Sequence, residues 1–137
     1  MTDKRMVRAI LINPFACSVR PVKVDGDDYK ALYPLLSHET MQVSCYEQIR
    51  TPILHGRDSL FVDEEGMLKD CRRFFTIEGF PQPLAGKGLV FGANAEGDFV
   101  DHATDLKTVL DAVRYLEMEG DGLFRQTTQP FTWEWIH

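Results

Sequence analysis

The chain has 137 residues, 44% of them apolar and 26% charged, with a formal net charge of −6. That length is a single-domain length, able to bury a core without staples, and the acidic balance opposes sequence-blind binding to nucleic-acid phosphates. Cys17, Cys45 and Cys71 are odd in number and widely spaced, which speaks against a disulfide framework and a C-x-x-C zinc site.

In chain order, the β-branched and apolar run over residues 7–12 predicts a first strand ending at Asn13-Pro14. Val19 and Val22-Lys23-Val24 predict a second extended piece closed by Asp25-Gly26, and a hairpin between the two is the economical arrangement. Asp27 or Asp28 can cap a short helix carrying Tyr29, Leu32, Tyr33, Leu35 and Leu36, which Pro34 limits. Residues 41–49 alternate as a strand with Val43, Cys45, Glu47 and Ile49 on one face and Gln42, Ser44, Tyr46 and Gln48 on the other.

Ser59-Leu60-Phe61-Val62 predicts a strand that stops at the turn Asp63-Glu64-Glu65-Gly66, and Phe74-Phe75-Thr76-Ile77 predicts another. Leu89-Val90-Phe91 between Gly88 and Gly92 reads as a short buried strand. Leu106, Val109, Leu110, Val113 and Leu116 recur at spacings of three and four. They predict a helix over 104–118, capped by Asp101 or Thr104 and ended by Gly120. Phe131, Trp133 and Trp135 alternate with Thr132, Glu134 and Ile136 as a last strand with one aromatic face. The expected fold is α+β: a mixed, mainly antiparallel sheet packed by one short helix in the N-terminal half and one longer helix in the C-terminal half. It forms one domain over 1–137.

No stretch approaches the roughly 18 apolar residues of a membrane span, and the run over 7–12, broken by Arg8, is too short for a signal-peptide core. Gly86-Lys87-Gly88 precedes a strand, where a phosphate-binding loop follows one, so these glycines read as packing positions around a tight strand. The acidic turn lacks calcium-loop spacing, and His38, His55, His102 and His137 lack metal-ligand spacing. The expectation is therefore no cofactor, no metal site and no assigned catalytic residue. Glu96, Asp98 and Asp101 beside His102 are explained by helix capping.

Several segments together resemble one family. They are the opening strand with Asn13-Pro14, then Arg20-Pro21-Val22-Lys23-Val24, the strand entering Asp63-Glu64-Glu65-Gly66-Met67-Leu68, the stretch Leu84-Ala85-Gly86-Lys87-Gly88-Leu89-Val90-Phe91-Gly92, and Asp98-Phe99 before a helix. The order is similar to that of small proteins encoded by bacteriophages, plasmids and other mobile elements, known as a domain of unknown function. The resemblance covers about residues 7–113, and residues 120–137 form a C-terminal extension. Where members carry Asn-Arg after the turn, this chain has Cys71-Arg72-Arg73-Phe74.

The resemblance implies a cytoplasmic, non-enzymatic accessory protein in a bacterial host cell, binding a host or phage protein, with counter-defence as one such role. A second hypothesis is a small ligand-binding or enzymatic domain with a pocket near Asp63, Glu64, Glu65, Gly66, Arg72 and Arg73. A third is an acidic DNA mimic, for which −6 is a modest charge. The aromatic residues Phe131, Trp133 and Trp135 are candidates for a partner or for self-association as a homodimer.

Overall fold

The computed structural model describes residues 5–39 and 41–130. Strand β1 (Met6–Asn13) buries alternate residues on both of its faces. A strand covered on both sides must be apolar on both, which explains its nearly continuous hydrophobic run. Asn13 Oδ1 then accepts the N–H groups of Phe15 and Ala16 at 3.0 and 3.2 Å, a side-chain turn that reverses the chain. Strand β2 (Ser18–Asp25) returns antiparallel to β1 along its whole length, from Asn13↔Ser18 to Met6↔Asp25. The expected hairpin is present.

Asp28 caps a 3₁₀ turn (Tyr29–Ala31) by accepting from Lys30 N–H, and the chain continues into α1 (Leu32–Leu36). Pro34 lies in the first turn of α1, where a missing N–H removes no intrahelical bond. The strand expected over 41–49 forms only as β3 (Tyr46–Ile49). Its first half is spent on a tight loop in which Met41 bridges back to His38 through paired backbone hydrogen bonds.

The chain continues through β4 (Asp58–Asp63), β5 (Arg73–Ile77), β6 (Leu84–Ala85), β7 (Gly88–Ala93) and β8 (Phe99–Val100). It ends in α2 (Leu106–Ala112), β9 (Val113–Met118) and β10 (Phe124–Thr127). The α+β class and antiparallel pairing are as expected, but in two sheets. The larger has the order β2-β1-β7-β4-β3 with β8 added to β7, and the smaller the order β10-β9-β5-β6.

The long helix expected over 104–118 is corrected. It stops at Ala112, and Val113 leads directly into β9, whose residues Val113, Tyr115 and Leu116 pair with Ile77, Phe75 and Phe74 of β5. A β-branched residue followed by an aromatic one suits a pleated ladder once a partner strand is present. Leu106 and Leu110, expected in the buried stripe, are exposed, whereas Val109 and Ala112 are buried. The helix cap is also corrected: Asp105 is the N-cap residue and makes no side-chain cap bond. Asp101 instead accepts from Arg8 N–H at 2.8 Å, and the Thr104 hydroxyl accepts from His55 N–H at 2.7 Å.

The two sheets face each other across Ile10, Ile12, Leu60, Val62 and Val90 on one side and Phe75, Ile77 and Leu84 on the other. The outer face of the larger sheet carries Leu11, Phe61, Leu89 and Phe91 beneath Leu32 and Leu36 of α1. Phe61 and Phe91 stack there with centroids 4.4 Å apart. Each such side chain contributes about 1.5–3 kcal/mol by burial. Among the described residues no helix is long and apolar enough to cross a membrane. The strand expected over 131–136, with Phe131, Trp133 and Trp135, lies outside the described residues.

Candidate functional site

Strand β4 is buried at all six positions and ends on Asp63. The Asp63 side chain is 2% exposed, a poor place for a carboxylate unless its oxygens are satisfied. They are: Oδ1 accepts Glu65 N–H at 2.9 Å and Oδ2 accepts the Lys69 ammonium at 2.5 Å. Lys69 also donates to Gln42 O, tying the turn to the segment before β3. A 3₁₀ turn (Gly66–Leu68) follows, closed by Leu68 N–H on Glu65 O at 2.9 Å. Gly66 is buried under it, because a Cβ there would meet the Ala85 Cβ and carbonyl oxygen at 3.2 Å.

With Asp63 and Gly66 turned inward, Glu64, Glu65, Met67, Leu68 and Asp70 are left exposed. Met67 is 63% exposed and Leu68 85%. Exposed apolar side chains scattered singly are ordinary, but two consecutive ones on an anchored turn beside three carboxylates are a distinct surface feature.

Cys45 Sγ donates to Glu65 Oε1 at 3.3 Å. Desolvation first, then the Glu65 carboxylate with Glu64 and Asp63 behind it, push this thiol up to about 11. It is a protonated donor at neutral pH, not a nucleophile. The ligand atoms of Cys45, Asp63 and Glu65 lie within 4.8 Å of one another. The cation position beside Asp63 is held by Lys69, and a metal would have to displace both that ammonium and the thiol proton.

Arg72 and Arg73 do not act together, because adjacent residues of an extended chain point to opposite faces. Arg72 is exposed, with Nε 3.4 Å from Met118 O. Arg73 is fully buried in the space between the sheets, where Nη1 donates to Gln129 O at 2.8 Å and to Pro14 O at 3.4 Å. Its Nη1 also lies 3.7 Å from Cys17 Sγ, and its Nη2 lies 4.0 Å from Glu117 Oε2. Burial raises the Cys17 thiol, with the Arg73 charge opposing, and pushes the nearby Tyr115 phenol up to about 12. Arg73 is thus a cross-tie from β5 to the β1–β2 turn and to the segment after β10. A hollow of about 490 Å³ on the β9–β10 hairpin, lined by Glu117, Glu119, Arg125 and Thr127 among others, takes no residue from the acidic turn.

Sequence reasoning missed Asp58. It is fully buried at the start of β4, and its carboxylate accepts Ala103 N–H at 3.0 Å and Thr104 N–H at 2.8 Å. His102 Nδ1 lies 2.7 Å from Thr104 O. The Asp58 carboxylate is engaged by backbone amides rather than by an imidazole, so the group fastens the approach to α2 and does not form a catalytic pair. Its one signal in the sequence, an aspartate just before an apolar run, is too common to single out.

No protein-family model, curated protein or solved structure matches the chain.

Proposed function

We propose that the protein is a non-enzymatic accessory protein that binds a protein of the host, or of the mobile element encoding it, through the acidic turn. The observation that carries this is the exposure of Met67 and Leu68, at 63% and 85%, on a backbone anchored by Asp63, Gly66 and Lys69. Apolar anchors on a preorganised turn lose little conformational freedom when they dock. Such anchors carry most of an interface's energy, while surrounding charges govern partner choice and association rate. Glu64, Glu65 and Asp70 beside them fit a partner whose apolar cleft is rimmed by Lys and Arg. The enzymatic alternative receives less support, because Asp63 is tied to Lys69 while Arg73 is tied to Gln129 and Pro14.

The test is capture of a host protein by the wild type, followed by pairwise titration of the purified partner. Met67→Ser/Leu68→Ser should weaken binding at least tenfold. Glu64→Lys/Glu65→Lys should slow association and flatten its salt dependence. Wild-type affinity in both double variants would overturn the proposal.

A further inference from the structure

Ser37, His38, Met41, Gln42 and Val43 tie three turns together. Ser37 Oγ donates to Tyr33 O at 2.7 Å and accepts Val43 N–H at 2.9 Å, and His38 and Met41 exchange backbone hydrogen bonds. The His38 ring lies flat on Phe15 of the β1–β2 turn, with centroids 3.7 Å apart and an interplanar angle of 9°. The Lys87 ammonium, from the turn between β6 and β7, donates at 3.1 Å to Ser37 O, on the residue directly before His38. Met41 is buried beneath the acidic turn: its Cε lies 3.5 Å from where a Cβ on Gly66 would stand and 2.8 Å from where one on Gly86 would. Phe15 packs against the same cluster, and Lys69 donates to Gln42 O. The His38 ring is thus joined, through Met41 and Gln42, to the turn that bears Met67 and Leu68.

A half-buried imidazole that takes up a proton forfeits part of the hydration its new charge would have in water. Burial therefore opposes the imidazolium first, and the Lys87 ammonium opposes it second. Glu39 acts in the opposite sense, but it is exposed and screened by water. Phe15 brings no charge, and its ring face attracts a cation only modestly. His38 is held below its ordinary 6.5. The stabilisation that its neutral ring gives is fully present above pH 6.5 and is lost as pH falls below that value.

We propose that the stack of His38 on Phe15 is a pH-sensitive latch, which keeps the acidic turn ordered at neutral pH and loosens it on acidification. This regulation rests on docking through Met67 and Leu68. A protonated His38 leaves its place between Phe15 and the Lys87 turn, and the backbone pairing with Met41 goes with it. Met41 then no longer fills the space under Gly66, and Lys69 loses Gln42 O, so two of the supports that hold the turn are withdrawn together.

The experiment uses wild type, His38→Phe and Lys87→Met, with NMR titration of the His38 ring and amide exchange at pH 7.5 and 5.5 as readouts. The Leu68 and Lys69 N–H groups close the turn on Glu65 O and Gly66 O at 2.9 and 3.3 Å, so their protection reports its order. In wild type His38 should titrate below 6.5. Protection at Leu68 and Lys69, corrected for the intrinsic pH dependence of exchange, should fall at least threefold at pH 5.5. His38→Phe keeps a flat ring on Phe15 without a titrating nitrogen and should show no such fall, which also subtracts the effect of every other titrating group. Lys87→Met should move the His38 midpoint upward, and this arm stands if His38→Phe fails to fold. A wild-type midpoint at or above 6.5, an unchanged midpoint in Lys87→Met, or an equal loss of protection in wild type and His38→Phe would overturn the proposal. These measurements need no partner. An unresponsive turn leaves docking through Met67 and Leu68 intact, and wild-type partner binding by Met67→Ser/Leu68→Ser leaves the coupling of His38 to the turn intact.

Discussion

Asp63 and Lys69, six residues apart, close the acidic turn with a contact of 2.5 Å between a carboxylate that is 2% exposed and an ammonium that is 26% exposed. Removing one partner of a buried pair leaves the other uncompensated. Asp63→Ala should therefore lower the free energy of unfolding by about 2–4 kcal/mol in urea titration. Asp63→Asn should cost less, since an amide oxygen can still accept Glu65 N–H. Met67→Ser should change stability by less than about 0.5 kcal/mol.

Gly86 and Gly97 separate steric packing from backbone strain. Both have positive φ, +78° and +86°, but a Cβ on Gly86 meets Met41 at 2.8 Å and one on Gly97 meets nothing within 4 Å. Gly97→Ala should cost about 1–2 kcal/mol for the left-handed backbone alone. Gly86→Ala should cost a further ~1–3 kcal/mol for overpacking. Equal losses in thermal unfolding would show that Met41 moves aside freely.

Cys45 links the turn to pH. Its thiol is raised from an ordinary 9.0 to about 11 in the folded chain, so its contribution to stability is fully present below pH 9 and is lost as pH rises through about 11. Site-resolved alkylation at pH 8 should be slower at Cys45 in the folded protein than in urea. Glu65→Gln should accelerate it, because it keeps an acceptor for the thiol but removes the carboxylate charge that raises it. Cys45→Ser should flatten the decline in stability between pH 9 and 11.

Asp58 accepts the backbone N–H groups of Ala103 and Thr104 at the approach to α2, and both amides lose that acceptor if the carboxylate is removed. Asp58→Ala should cost about 2–4 kcal/mol. It should also speed amide exchange at Ala103 and Thr104 before it affects exchange in β1. Protection at those two amides equal to wild type would count against the carboxylate as the fastener.

The local elements were legible in the sequence because their causes are local. An apolar run bounded by Asn13 makes β1, Asp28 can reach Lys30 N–H, and an acidic tetrapeptide ending in glycine interrupts β4. What only the tertiary structure decided depends on partners distant in sequence. The helical period running through Val113 and Leu116 lost to a ladder with Ile77 and Phe74, because a strand is stabilised by a neighbour that no window of local sequence contains. Arg72 and Arg73 are neighbours in sequence, but the pleat sent one to solvent and the other between the sheets. The acidic turn could be located from its residues; that Asp63 would turn inward to Lys69 while Met67 and Leu68 turned outward could not. Which side chains of a turn are exposed is settled by what lies beneath it, here Ala85 of a strand nineteen residues after Gly66.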